Sequence, residues 1–369
     1  MVTLVVVDHH RSDFIDKEKV SVPTFETEEE FVETLRQYLD CDYDMILADA
    51  DVDGYTSAII YALDRKLRDP AFKCFRVPIT REHLDIFEKN GVQTIIALDW
   101  FPLYGTDVSL FENVVLLNPR FSKLFENCSC SELIYRATKH KTPFMRDINA
   151  VGVVSDYGFA SGMQTILQTV NSYNSLFLPL VELGEQNKIN RYNVYQSKFK
   201  QLSEIFWAPY IINGEEGVQE IVQLIVNNEA FTYWDVFNYA HHPAIHYLRR
   251  AYHHYQQMVE EEEKHFAIRK KEFDHVIIYE PKTSSPGFIS KYSSELTNRY
   301  SGKVFLLKIK INSKTKYSAR QRGLLLDLGR LFEELGIGGG HPAAAGGMTE
   351  DPEGFEKAFI EKVNAELEL

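Results

Sequence analysis

Short, nearly uninterrupted apolar runs alternate with helical periodicity along the first part of the chain. Residues 3–7 are almost wholly apolar and mostly β-branched, the pattern of a buried parallel strand. Phe31, Leu35 and Leu39 recur at helical spacing and predict a helix over 27–40. Further strands are expected at 44–48, 73–78, 94–98 and 113–117, and helices at 54–68, 81–90 and 129–139. The apolar segment 147–157 reads as a less regular strand carrying Asp156. Strands alternating with helices over about 150 residues imply a parallel α/β sheet.

Between 160 and 275 strand-like runs thin out, aromatics rise and helical periodicity takes over. The segment 259–273 is charged, as a solvated helix would be. From 275 the pattern is mixed again, with strands at 275–279, 303–311 and 317–320 and helices at 290–300, 324–335 and 355–367. The expected fold class is therefore α/β, in three parts. A parallel-sheet domain spans 1–160, a helical connector or insertion 161–274, and a smaller mixed α/β domain 275–369.

Of the 369 residues 44% are hydrophobic and 25% charged, enough for two or three cores. The net charge of −13 argues against holding long duplex DNA by charge neutralisation. It leans toward short or small phosphate substrates, or a local basic patch on an acidic body. Cys128 and Cys130 form a lone CxC without a second pair, so a structural zinc site is not expected. Four cysteines without a framework suggest a reducing compartment. With no basic leader and no membrane-length apolar run, the expectation is a cytoplasmic protein with no membrane association.

The chemistry concentrates at Asp49, Asp51 and Asp53, followed by Gly54 and an apolar helix. In an extended segment the spacing of two puts all three carboxylates on one face, where they repel unless a cation neutralises them. An EF-hand would need a glutamate at the twelfth position, and neither Ile60 nor Ala62 supplies it. Hard oxygen donors suit a divalent ion of the manganese or magnesium kind. Other expected strands end in Asp8-His9-His10, in Asp99 and in Asp156. In a parallel sheet those ends share one edge. Taken singly, Asp99 and Asp156 also fit helix N-caps, and the histidine pair a structural role. Near the other end, Gly338, Gly339 and Gly340 leave backbone amides open to an anion, and His341 can donate to a phosphate or base. The aromatics and histidines of the middle region, including His241, His242, His253 and His254, read mainly as core and surface rather than as ligands.

The acidic stretch, with Gly54, Thr56 and Ser57, resembles the first motif of the DHH phosphoesterase superfamily in its RecJ-like form. The Gly-Gly-Gly-His segment resembles that of the domain associated with DHH. The resemblance assigns Asp99 to the second motif and Asp156 to the fourth. The third, the Asp-His-His triplet, usually follows the second motif; here it stands at Asp8, His9 and His10. Either the N-terminal strand takes over that role, or Asn118-Pro119-Arg120 is a degenerate third motif and the site is impaired. The resemblance implies metal ligation by Asp8, His9, Asp49, Asp51, Asp53, Asp99 and Asp156. It implies catalytic roles for Asp51, Asp53, Asp99, His9 and His10. Arg320, in a Ser-x-Arg strand, would bind substrate with Gly338, Gly339, Gly340 and His341, the substrate lying in a cleft between the domains.

The resemblance further implies a phosphodiesterase using two Mn2+ ions, or Mg2+, to activate water. Its expected partners are single-stranded DNA or RNA, short oligonucleotides or nucleotides, with a homodimer or replication and repair proteins as further partners. The alternatives are a cyclic-dinucleotide phosphodiesterase, a non-catalytic replication-complex relative of RecJ, and a polyphosphate or pyrophosphate hydrolase.

Overall fold

The structure, a computed structural model, describes residues 27–75, 81–99, 114–117, 128–156, 158–185, 188–283, 285–300, 302–324 and 326–367. The expected strand at 3–7, the triplet Asp8, His9, His10 and the segment Asn118-Pro119-Arg120 lie outside these residues. The chain divides into two compact units, Met1–Tyr252 and His253–Leu369.

The first unit opens with α1 (Glu28–Leu39), capped by the Thr27 hydroxyl. It continues through β1 (Met45–Asp49), α2 (Val52–Asp64), β2 (Phe72–Phe75), α3 (Arg81–Lys89), β3 (Ile95–Leu98) and β4 (Val114–Leu117). The four strands form one parallel sheet in the order β2-β1-β3-β4. Their runs are apolar because helices must cover both faces of such a sheet. The chain leaves β1 toward β2 on one side, then returns to β3 on the other. The β1/β3 boundary is thus a topological switch point, where α/β sheets open a crevice at the carboxyl ends of their strands.

Helix α2 is the centre of this unit. All residues from Val52 to Ala62 are buried, including Asp53, Thr56 and Ser57. A helix apolar all round has no solvent face. It is enclosed by β1, β3, α4 (Cys130–Ala137), α5 (Pro143–Ser155) and α9 (Lys198–Val226). The Tyr55 hydroxyl donates to the Phe206 carbonyl of α9 at 2.5 Å. Between α5 and α9 run α6 (Phe159–Ser172), α7 (Leu178–Glu185) and α8 (Arg191–Tyr195). After α9, which breaks at Gly214 (φ 60°), come α10 (Tyr233–Phe237) and α11 (Pro243–Arg269). The helical character expected for the middle of the chain is thus present. Up to Tyr252 those helices belong to the first unit.

One element differs from expectation. The strand read at 147–157 is helical, and Asp156 caps the C-terminus of α5. The run Ala150–Val154 is buried on every side, so it shows no helical stripe and its valines imitate a strand. The helix start was nonetheless written in the sequence, with Thr142 as N-cap and Pro143 at the first position.

The second unit holds a mixed sheet ordered β5-β6-β7-β8-β10-β9. Its strands are β5 (Lys271–Glu272), β6 (Val276–Tyr279), β7 (Val304–Ile311), β8 (Lys314–Arg320), β9 (Gly338–His341) and β10 (Ala344–Thr349). Only β6 and β7 pair in parallel; the rest pair antiparallel. Helices α12 (Pro286–Arg299), α13 (Leu328–Glu334) and α14 (Pro352–Leu367) complete it. The core on one face joins Val276, Leu306, Tyr317, Leu331, Phe332 and Phe359. The glycine run is a paired edge strand. A Cβ at Gly338 or Gly340 would fall 2.1 Å from the Gly346 carbonyl oxygen or 2.4 Å from that of Ala344. Among the described residues no helix is long and apolar enough to cross a membrane.

The crossing of α2, α4 and α5 allows no side chain at Gly152, where a Cβ would lie 2.3 Å from Ser131 Oγ and 2.5 Å from Thr56 Oγ1. Gly152→Ala should therefore lower stability by about 1–3 kcal/mol. Adding Ser131→Ala, which removes the nearer hydroxyl, should recover part of that loss. Urea denaturation of the three proteins checks both expectations.

Candidate metal centre

The acidic stretch is not one extended segment. Strand β1 stops at Asp49, Asp51 is the N-cap of α2, and Asp53 sits in the first turn of that helix. The carboxylates are gathered by a strand–turn–helix transition rather than by the pleat. Asp51 accepts from the Gly54 amide at 2.9 Å. Gly54 is required by close approach, since a Cβ there would lie 2.4 Å from the Asp49 carbonyl oxygen. The helix can fold back onto the end of its own strand only without that atom.

Asp99 comes from the neighbouring strand. Ala48 pairs with Leu98, and one step further along the same register sets Asp49 beside Asp99. The Asp99 amide continues the ladder to the Leu117 carbonyl at 2.8 Å. Its φ of 55° is left-handed, a conformation that aspartate tolerates better than most residues and that turns the chain sharply at the sheet edge. Carboxylate oxygens of Asp49, Asp51 and Asp99 lie within 4.8 Å of one another.

Asp53 plays a different part. Its carboxylate accepts from the amides of Cys130 at 2.6 Å and Ser131 at 3.0 Å, the open amides that begin α4. Helix α4 is itself anchored by buried Glu132. That carboxylate accepts from Asn149 at 2.7 Å, Thr165 at 2.9 Å and Arg136 at 2.8 Å. The Thr56 and Ser57 hydroxyls donate back to the Val52 and Asp53 carbonyls, each at 2.7 Å. They are satisfied locally, so α2 can be buried with them.

The electrostatics tie these groups together. Burial, then Asp156 and Asp51, push the Asp53 pKa from 3.8 up to about 8. Burial, then Asp53, Asp51, Asp156 and Asp49, raise that of Asp99 well above the carboxylate range. Asp156 adds a negative charge at the C-terminus of α5, the end of a helix that disfavours one. Five carboxylates thus gather at one sheet edge, Asp53 and Asp99 buried and the other three partly exposed. The donor set is all hard oxygen, which fits a divalent cation of the Mg2+ or Mn2+ class. Asp49, Asp51 and Asp99 are the residues that would hold it. Asp53 and Asp156 stand in electrostatic contact with them, and the predicted Asp8, His9 and His10 fall outside the described residues.

The expected substrate residues meet in part. A cavity of about 350 Å³ in the second unit is lined by Arg320, Lys316, Ser318, Ile289, Gly339 and Gly340, among others. Burial lowers the Arg320 pKa, and its Nη1 donates to the Ala319 carbonyl at 3.0 Å. Gly338 does not line this cavity, and the side chain of His341 is outside the described parts of the chain. Sequence reasoning missed Lys316, one pleat from Ser318 and two from Arg320 on the same strand face. It also missed the α4 amides, which the Ser129-x-x-Glu132 capping pattern would have located.

Residues 274–369 match the DHHA1 domain family. No curated protein matches the chain. RecJ of Thermus thermophilus in complex with Mn2+ is similar in structure, with a TM-score of 0.63 at 15% identity over 95% of this chain and 56% of that one. The same protein in complex with Mg2+ gives a TM-score of 0.55 at 13% identity, over 96% and 55% of the two chains. The DHH domain of a member of a family of ribosomal proteins gives 0.56 at 14% identity, over 90% and 89%. The chain thus spans little more than half the length of the RecJ protein it matches. With residues 274–369 matching the DHHA1 domain family and the RecJ architecture along nearly all of its length, the chain has a RecJ-like fold.

Proposed function

We propose that this protein is a metal-dependent phosphodiesterase that hydrolyses single-stranded nucleic acid or short oligonucleotides. The observation that carries this reading is the meeting of Asp49, Asp51 and Asp99 at the β1/β3 switch point, within 4.8 Å of each other. A divalent ion bound there, Mn2+ by preference and two ions at full occupancy, supplies Lewis acidity and makes water a competent nucleophile near neutral pH. The chain's own residues do the rest. Asp49, Asp51 and Asp99 fix the cation at the sheet edge. Asp53, locked onto the α4 amides, holds the first turn of α2 in place, and Asp156 adds negative potential. His9 and His10 are proposed to complete the ligand set from the N-terminal strand. In the second unit, Arg320, Lys316 and the backbone of Gly339 and Gly340 bind a substrate phosphate, the arginine in the two-pronged manner suited to that anion. That RecJ of similar fold has been obtained in complex with Mn2+ and with Mg2+ supports the choice of ion. Labelled single strands, dinucleotides and cyclic dinucleotides incubated with Mn2+ separate this reading from the cyclic-dinucleotide alternative.

Asp51→Asn and Asp99→Asn should each lower Mn2+-dependent hydrolysis by at least about a hundredfold, as loss of a metal ligand does. His9→Ala should behave alike. Full activity in His9→Ala would remove the N-terminal triplet from the site.

The raised pKa of Asp53 gives a pH signature. The fold favours its protonated form, so its contribution to stability is complete below the ordinary 3.8 and is lost as pH rises through about 8. A bound cation takes the place of that proton. Melting of chelator-treated protein should therefore show Mn2+ raising Tm more at pH 8 than at pH 5. Equal gains at both would mean that no buried carboxylate changes its charge on metal binding.

A further inference from the structure

The second unit holds another concavity, unrelated to the motifs. It measures about 460 Å³ and is lined by His265, Arg269, Lys271, Ile278, Glu280, Pro281 and Lys308. Its place in the fold follows from strand parity. Leu307 and Ile309 line the cavity that contains Arg320, whereas Lys308, between them, lines this one. Successive residues of a strand face opposite sides, and His265 reaches the hollow from the Tyr279 side while Ile278 and Lys308 reach it from the other, so it wraps the β5–β6 edge of the sheet and is separate from the cavity of Arg320.

The wall is cationic and built. Lys308 is half-buried and pinned at 2.6 Å by Glu356. His265 Nδ1 and the Tyr279 hydroxyl are hydrogen-bonded at 3.1 Å, and that hydroxyl donates to buried Glu262. The imidazole is therefore held in place beside the hollow that it lines. Glu262 also accepts from the Lys282 amide at 2.8 Å, which ties α11 to the end of β6. Arg269 and Lys271 make no ion pair among the described residues, since the nearby Glu272 is taken by Lys270 and Lys303. The floor, Ile278 and Pro281, is buried and apolar. On a chain of net charge −13, Arg269 and Lys271 meeting a histidine in one hollow, with Lys308 shared with Glu356, form a local anion site rather than part of a general field. Glu280 at the rim suits a ligand that also donates hydrogen bonds, as sugar hydroxyls do. The volume matches a small ligand of nucleotide size.

We propose that the hollow formed by His265, Arg269, Lys271 and Lys308 binds a phosphate monoester, as a second anion site at the β5–β6 edge of the sheet, apart from the cavity of Arg320. The phosphate can come from free orthophosphate, from a mononucleotide or from the 5′ end of a strand, and all three offer the same dianionic oxygens to Arg269 and Lys271.

The test is an NMR titration of the full-length, metal-free chain, read at the His265 imidazole and assigned with His265→Gln. The probes are orthophosphate, adenosine monophosphate and a 5′-phosphorylated single-stranded oligonucleotide. At least one should shift the His265 signal saturably, and its affinity should fall about tenfold or more in R269A/K271A. Both substituted side chains are exposed, so the variant should melt as the wild type does. The probe that saturates first identifies the source of the phosphate. A His265 signal that stays put with all three, or an affinity unchanged in R269A/K271A, overturns the proposal. Because the readout is local to His265 and needs no metal, it is independent of hydrolysis.

Discussion

Like charge held out of water is the constraint around which the first unit is built. Burial and the charges of Asp51 and Asp156 raise the pKa of both Asp53 and Asp99, which are almost wholly buried. Removing an ionised carboxylate from water costs several kcal/mol, and each like-charged neighbour adds to that. Two kinds of compensation are visible. The α4 amides neutralise part of the charge on Asp53, and the N-terminus of α2 does the same for Asp51. Neither is enough, as the raised pKa of Asp53 shows, so the remaining compensation has to be a proton or a cation. The pocket is destabilising by itself and stabilised by occupancy, as expected of a site shaped for function rather than for folding.

A destabilising pocket needs a rigid frame, and here it is made by removing atoms. Gly54 lets α2 return against the end of β1, and Gly152 lets α5 cross α2 and α4 at hydroxyl distance. Gly158 and Gly162 serve likewise, for a Cβ would lie 2.8 Å from the Ser129 amide nitrogen or 2.4 Å from Val153. Thr56, Ser57 and Ser131 are the complementary choice, small side chains whose hydroxyls find partners close by. Larger side chains would push the helices apart and move the α4 amides away from Asp53. A cluster of carboxylates cannot draw its own framework together, so close packing of neighbouring helices has to do so.

Much of this was legible in the sequence because it was written in short-range pattern. Strands β1, β3 and β4 announce themselves as apolar runs, α1 by the spacing of Phe31, Leu35 and Leu39, and the acidic stretch by its composition. The illegible part came from burial on all sides. Helix α5 lost its helical stripe because no face of it meets solvent, so its valines passed for a strand. The division of labour among the aspartates was hidden too. Spacing alone treats Asp49, Asp51 and Asp53 as equivalent, whereas one ends a strand, one caps a helix and one is bound to a distant helix terminus. The glycine run was legible as a packed segment. Its edge pairing with β10, set by carbonyls that crowd Gly338 and Gly340, depends on residues the run itself does not contain.

The sign of the net charge bears on how a polyanion could be held at all. A chain at −13 repels phosphate at long range, so attraction has to come from contacts inside the Debye length, about 8 Å at physiological salt. The second unit meets that requirement by placing its cations in hollows. Arg320 and Lys316 line one hollow, and Arg269, Lys271 and Lys308 line another at the β5–β6 edge. Arg320, the more buried of these cations, meets less water, and its bond to a phosphate is correspondingly stronger. If these hollows bind phosphate as proposed, chain ends and short pieces would reach them more readily than the middle of a long duplex. The acidity of the protein and the small phosphate esters proposed as its ligands are then compatible with one charge distribution.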